Sequence, residues 1–339
     1  MQNLFRSYAT VTLSVLLSCA SMAAAQVDGH GAAPAVETGP PQVIHRVNPH
    51  GMGLSIPNPG STTPSSYPIS FHGGPVMGGT PNVYLIWYGN WSQANGSDTP
   101  AGQQIVRDFV ANVSGSPYFT INQSYDLPSP GVSGQVSFTP GTNEYTYTTY
   151  LFGNRLSDSN VQSLVTSAIS SSLLPRDLNG VYFVLTSSDV NERSGFCTRY
   201  CGWHTTTSTS NGIRYSFVGN ANRCLSSCAI QSVSPNGNAG VDGMISVLAH
   251  ELEEMVTDPN LNAWYDSRGY ENADKCAWTF GQVPGTQYQV ANGAWANVHL
   301  PPNTTPPSGR DFEIQRNLYH NLNGPNGVGD YCMMDATHN

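Results

Sequence analysis

The run Val181-Tyr182-Phe183-Val184-Leu185 constrains the fold more than any other segment. Successive side chains of a strand point to opposite faces, so five consecutive apolar residues cannot sit on a sheet with one wet side. The strand that contains them, Gly180 to Thr186, is therefore expected to be buried on both faces. Such a sheet needs helices as cover. Strand-like segments at Asn82 to Tyr88, around Gly134 to Phe138 and at Arg214 to Val218 are interleaved with helical patterns at Ala101 to Val113 and Ser159 to Leu173. The alternation predicts an α/β fold, a mixed sheet flanked by helices.

Residues 1–25 carry a single charge, Arg6, then an apolar stretch, and end in Ala23-Ala24-Ala25 before Gln26. This is the pattern of a signal peptide, although Leu16-Leu17-Ser18-Cys19 also forms a loose lipobox. Residues 26–68 are rich in Pro, Gly, Ser and Thr and read as a flexible leader. Residues 69–339, roughly 270 in all, are enough for a single domain with a sizeable core. No later run is long and apolar enough to span a bilayer, so the expected location is extracellular.

Export also decides how the cysteines are read. Removing Cys19 with the signal peptide leaves Cys197, Cys201, Cys224, Cys228, Cys276 and Cys332, an even set that predicts disulfides. Two C-x-x-x-C pairs are also compatible with a site of four thiolates, but an oxidising compartment disfavours it. A bridge inside a helical C-x-x-x-C would have to close about 5–6 Å between Cβ atoms, too far for a disulfide. The bridges are therefore expected in loops or between the two motifs. Pairing Cys276 with Cys332 would pin the C-terminal segment.

The segment Ala249-His250-Glu251-Leu252-Glu253-Glu254 brings in chemistry. Positions i and i+4 of a helix share a face, so His250 and Glu254 can reach one metal ion. Glu251 lies one step round, where a carboxylate can act as general base towards a water acidified by the metal. The pattern is H-E-x-x-E rather than the H-E-x-x-H of zinc proteases. Val241, Met244, Ile245, Leu248, Leu252, Met255 and Val256 gather on one side of this helix, with Val247 the exception. His250, Glu254 and Thr257 gather on the other, which is expected to line a cleft. Asp242 is the expected N-cap, and Pro259 is expected to end the helix by Asp258.

A second acidic cluster follows. Glu271 and Asp274 resemble the third ligand of gluzincin peptidases and the carboxylate that orients a ligand histidine. The expected metal ligands are His250, Glu254 and Glu271, with Asp266 or Asp274 as second-shell groups or substitutes. Zinc is the expected ion, with calcium as the alternative. Asp266 and Asp274 are also simple turn formers. His72, His204, His299 and His320 are expected to be structural or solvated, with His204 or His299 in reserve should Glu271 point away.

Several segments together resemble the phosphate-induced protein 1 family, to which exordium belongs. They are His72-Gly73-Gly74-Pro75-Val76-Met77, Asn82 to Trp91, Tyr182 to Val190, Phe196-Cys197, Cys201-Gly202 and Tyr215 to Gly219. Asp242 to Val247, the His-Glu helix and Asn262-Ala263-Trp264-Tyr265 complete the set. The resemblance implies a secreted protein linked in plants to growth and cell-wall responses, with no assigned activity. His250, Glu251, Glu254, Glu271, Asp274 and Cys276 fall on the family pattern. The glycine-rich segment that closes plant sequences is not evident.

The chain has 13 basic against 22 acidic residues, a net charge of −9, and Lys275 is its only lysine. That balance disfavours a nucleic acid or an anionic membrane surface as partner. Neither a G-x-S-x-G elbow nor a phosphate loop is present. Two readings follow. One is a secreted zinc-dependent hydrolase, a peptidase with Glu251 as base and a zincin-like arrangement. The other is a non-catalytic extracellular or wall-associated protein whose metal, if any, is structural. The partner is correspondingly an extracellular peptide or a cell-wall component.

Overall fold

A computed structural model describes residues 67–208, 210–280, 287–301, 308–320 and 330–335. The expected signal peptide and nearly all of the expected leader lie outside them. The central sheet starts with β1 (Asn82–Tyr88), followed by α1 (Pro100–Asn112), β2 (Glu144–Thr146), α2 (Asp158–Ser170) and β3 (Gly180–Thr186). It is completed by β4 (Gly202–Thr206) and β5 (Arg214–Gly219), after which comes α3 (Ala239–Thr257). The spatial order is β2-β1-β3-β5-β4. All neighbours run parallel except β4, which returns antiparallel to β5. The expected mixed α/β sheet is thus present, with β3 at its centre.

All seven residues of β3 are buried. Helix α3 lies against β3, β4, β5 and α1, while α2 packs against β3 and β5. The helix starts are set by local chemistry. The Thr99 hydroxyl accepts from the Gly102 N–H at 3.0 Å ahead of Pro100, and Ser157 forms a capping box with Asn160.

Three expectations on the elements need correction. The segment around Gly134 to Phe138 makes only one bridge, Asn82 to Ser137. The Pro140-Gly141 turn follows it, and Glu144–Thr146 takes the edge of the sheet instead. Helix α2 stops at Ser170, short of Leu173, because Ser172 turns to φ 57°. Helix α3 begins one turn earlier than Asp242. Asn238 is its N-cap, accepting from the Val241 N–H, while the Asp242 carboxylate accepts from the backbone and side chain of Asn236. Asp258 closes α3 as its C-cap, as the proline after it requires.

Disulfides join Cys197 to Cys224, Cys201 to Cys228 and Cys276 to Cys332. The two C-x-x-x-C motifs are cross-linked to each other, so their sulfurs are not available as four thiolates. No helix among the described residues is long and apolar enough to cross a membrane.

Strand β4 approaches α3 unusually closely at Gly202. A Cβ there would lie 2.5 Å from Val247 Cγ1 and 3.0 Å from Glu251 Oε1. Glycine in a strand marks such an approach of backbone to a neighbour. Gly202→Ala is therefore expected to lower stability by about 1–3 kcal/mol, the range for overpacking. Urea denaturation of the variant beside the wild type measures it, and an unchanged midpoint would contradict this packing.

Candidate metal centre

Gly202 and His204 are two residues apart on β4 and so face the same side of the sheet. The contact that Gly202 permits with α3 brings the His204 ring down onto the next turn of the helix. Its Nδ1 stands 3.3 Å from Glu251 Oε2 and 3.5 Å from Glu254 Oε2. Its Nε2 faces Glu271 Oε2 at 3.5 Å. On the opposite side of Glu254, His250 Nε2 lies 3.0 Å from Oε1 and 3.5 Å from Asp274 Oδ1.

Glu271 and Asp274 reach the helix through a short turn. Asp274 accepts from the Glu271 N–H, and its own N–H donates to Glu254 Oε1 at 3.0 Å. The turn continues into a 3₁₀ segment, Asp274–Cys276, whose cysteine is bridged to Cys332. The preceding connection is held by pairing of Ser70–Phe71 with Trp264–Tyr265 and by Asp258 accepting from the N–H groups of Asn262 and Ala263.

One donor atom from each of His204, Glu254 and Glu271 lies within 4.8 Å of the others, and the same holds for His250, Glu254 and Asp274. The expected ligand set of His250, Glu254 and Glu271 is therefore divided between two groups that share Glu254. His204, expected to be structural or solvated, sits among these acids. Asp266 lies elsewhere: its carboxylate accepts from Lys275 Nζ at 2.7 Å and from Arg268, and these contacts outweigh burial and lower its pKa. His72 stacks on Tyr265, while His299 and His320 pair with Asp311 and Asp330.

The polar face of α3 does not line an open cleft. Glu251, Glu253 and Glu254 are buried, and the His250 side chain is only 12% exposed. Strand β4 and the 271–276 turn cover that face. Burial pushes the Glu251 carboxyl up, with His204 opposing, and burial pushes Glu253 well up. Asp274 is raised to about 6 by burial and by the charge of Glu254. Glu254 goes the other way. Burial favours its neutral form, but the adjacent imidazoles of His250 and His204 win and hold it well below the usual range. Burial likewise opposes charge on both imidazoles, yet the adjacent carboxylates prevail, raising His204 to about 9 and His250 well above its ordinary value.

The sequence signal for His204 was faint. A strand glycine followed two residues later by a histidine marks a ring placed where backbone approach is close, but only α3 packed against β4 supplies acids for it. Glu253 and Asp258 are further buried acids of this region; i, i+4 spacing from His250 selects neither, and Asp258, four residues after Glu254, is already the helix C-cap.

Residues 69–294 match the model of the phosphate-induced protein 1 conserved region. The chain is 32% identical over 304 residues to Protein EXORDIUM-like 5 of Arabidopsis thaliana, covering 77% of this chain and 78% of that protein. It is 33% identical over 268 residues to Protein EXORDIUM-like 3 of the same plant, covering 68% and 76%. Protein PHOSPHATE-INDUCED 1 of Nicotiana tabacum is 27% identical over 275 residues, covering 70% and 82%. The chain belongs to the phosphate-induced protein 1 family. No solved structure matches it.

The raised pKa of His204 has a fixed sign in stability. Its folded value of about 9 exceeds the ordinary value of about 6.5. The charged imidazole therefore stabilises the fold fully below about pH 6.5, and this contribution is lost as pH rises through about 9. In chelator-treated protein, His204→Gln should cost stability at pH 6 and much less near pH 10, as measured by denaturant melts. A gap that widens with pH would show the ring to be neutral in the fold.

Proposed function

We propose that this is an exported phosphate-induced protein 1 family protein organised around a buried divalent-cation centre on α3. The observation that carries this is a charge imbalance. Six carboxyl groups, those of Glu251, Glu253, Glu254, Asp258, Glu271 and Asp274, are buried together, and among the described residues the basic side chains set against them are the imidazoles of His204 and His250. Gathering acids away from water is costly unless they are protonated or balanced by a cation. The donor spacing fits an ion: ligands about 2.0–2.1 Å from zinc at a tetrahedral angle lie about 3.3 Å apart, while His250 Nε2 lies 3.0 Å from Glu254 and 3.5 Å from Asp274, and His204 Nε2 lies 3.5 Å from Glu271. Each group offers an imidazole nitrogen, which favours zinc over calcium with its six to eight oxygens. Export is supported by the three disulfides and by the signal-like first 25 residues.

Burial of His204, Glu254 and Glu271, with His250 and Asp274 mostly covered, favours an ion that holds structure, tying α3 to β4 and to the 271–276 turn. In this reading Glu251 orients His204 through Nδ1, as carboxylates behind ligand histidines do, and the partner is an extracellular or wall component that is bound and not turned over. A zincin-like hydrolase acting on peptides is the second reading. It is favoured by Glu251 lying beside the ligand histidine without belonging to either three-donor group, where a general base would sit.

Added zinc should raise Tm by several degrees over chelator-treated protein, as a ligand bound only to the folded state does; no shift would remove the cation. Glu251→Gln separates the two readings. The structural reading expects zinc affinity to fall about 10–100-fold with no hydrolysis to lose. The hydrolytic reading expects zinc to stay bound while peptide turnover disappears.

A further inference from the structure

We infer that the centre takes two divalent cations, bridged by the carboxylate of Glu254. The inference rests on the cation reading above and deepens it. Glu254 is the residue common to both three-donor groups, and it presents a different oxygen to each. Oε1 faces His250 at 3.0 Å, with Asp274 3.5 Å from the same imidazole nitrogen. Oε2 faces His204 at 3.5 Å, and that ring meets Glu271 at the same distance on its other nitrogen. Each half therefore offers one imidazole, one oxygen of Glu254 and one further carboxylate, a donor atom of each lying within 4.8 Å of the others, and the His204 ring gives its ion a single nitrogen. This is the donor set of a bridged pair, in which the ions stand about 3.5–4 Å apart.

A second observation points to a ligand at the less satisfied half. Glu254 is completely buried, and its Oε2 has no hydrogen-bond partner, His204 Nδ1 standing off at 3.5 Å. Oε1 already accepts from the Asp274 N–H, which fixes the plane of the carboxylate and leaves Oε2 pointing at the His204 side. A single ion placed in the His250 half would not reach that oxygen or the His204–Glu271 pair. A single ion in the His204 half would leave His250 and Asp274 in the same position.

The chemistry suits a pair of zinc ions. Two dications offset four of the six carboxyl groups gathered here, whereas one offsets only two. Asp274 and Glu271 come from one turn and His204 from the facing strand. Removing a donor from one half therefore leaves the other half with its own ligands.

The test is zinc stoichiometry on the full chain with its disulfides intact. Metal-free protein is given excess zinc chloride, freed of unbound ion, and analysed for zinc and sulfur together. About two zinc ions per chain are expected, falling to about one in Asp274→Asn and in His204→Gln, and to one or fewer in Glu254→Gln. Circular dichroism of each variant checks its fold, and where a variant does not fold the wild-type ratio decides alone. One ion per wild-type chain would overturn the pairing and leave the single cation centre standing. None would overturn both. Two ions that both survive loss of Glu254 would place them away from this carboxylate and also overturn the inference.

Discussion

A carboxylate sealed from water must be neutralised by whatever is packed against it, and Glu254 is packed against two imidazoles, one from its own helix and one from a strand. Much of the described fold bears on that meeting. The glycine at 202 sets how near the strand comes, and its neighbour two residues on supplies the ring. A turn after the helix returns to donate a backbone N–H to the same carboxylate. Breaking a buried ion pair by removing one partner costs far more than the pair is worth intact, because the survivor is left charged and dry. The arrangement is therefore intolerant of piecemeal change.

The sheet around it follows from simpler causes. A strand with no polar alternation has to be central, and β3 is. Parallel strands need crossovers, which the intervening helices provide. The returning strand β4 is the antiparallel exception. It arrives at the sheet edge from a disulfide-bonded loop and carries His204 on the side that α3 covers.

Sequence patterns revealed the strands at 82–88 and 180–186 to the residue, since long apolar runs admit few alternatives. They were less informative where a side chain settles a boundary. Asn238 caps α3 ahead of the more conspicuous Asp242, and a single residue at positive φ ends α2. In the site, i, i+4 spacing correctly groups His250 with Glu254 on one helical face, because that geometry is local. It cannot reveal His204, whose place depends on contact between residues 47 apart in sequence. Nor does spacing indicate that the acidic side of α3 is covered, since amphipathicity records which residues differ in polarity and not what lies opposite. Asp266 and Asp274 look alike in sequence. Only the fold separates them, giving one to Lys275 and Arg268 and the other to His250.

The positions of the disulfides acquire meaning from this geometry. Cys201 immediately precedes Gly202 on β4, and Cys276 closes the segment that presents Glu271 and Asp274. Both elements that bring donors to the helix from elsewhere in the chain are thus anchored by a bond that forms only under oxidising conditions. The reduced chain would carry the same histidines and acids without these two anchors, and its acids would repel one another freely. Reduction would therefore act on the centre at a distance, freeing the strand and the turn from their tethers without altering a single donor.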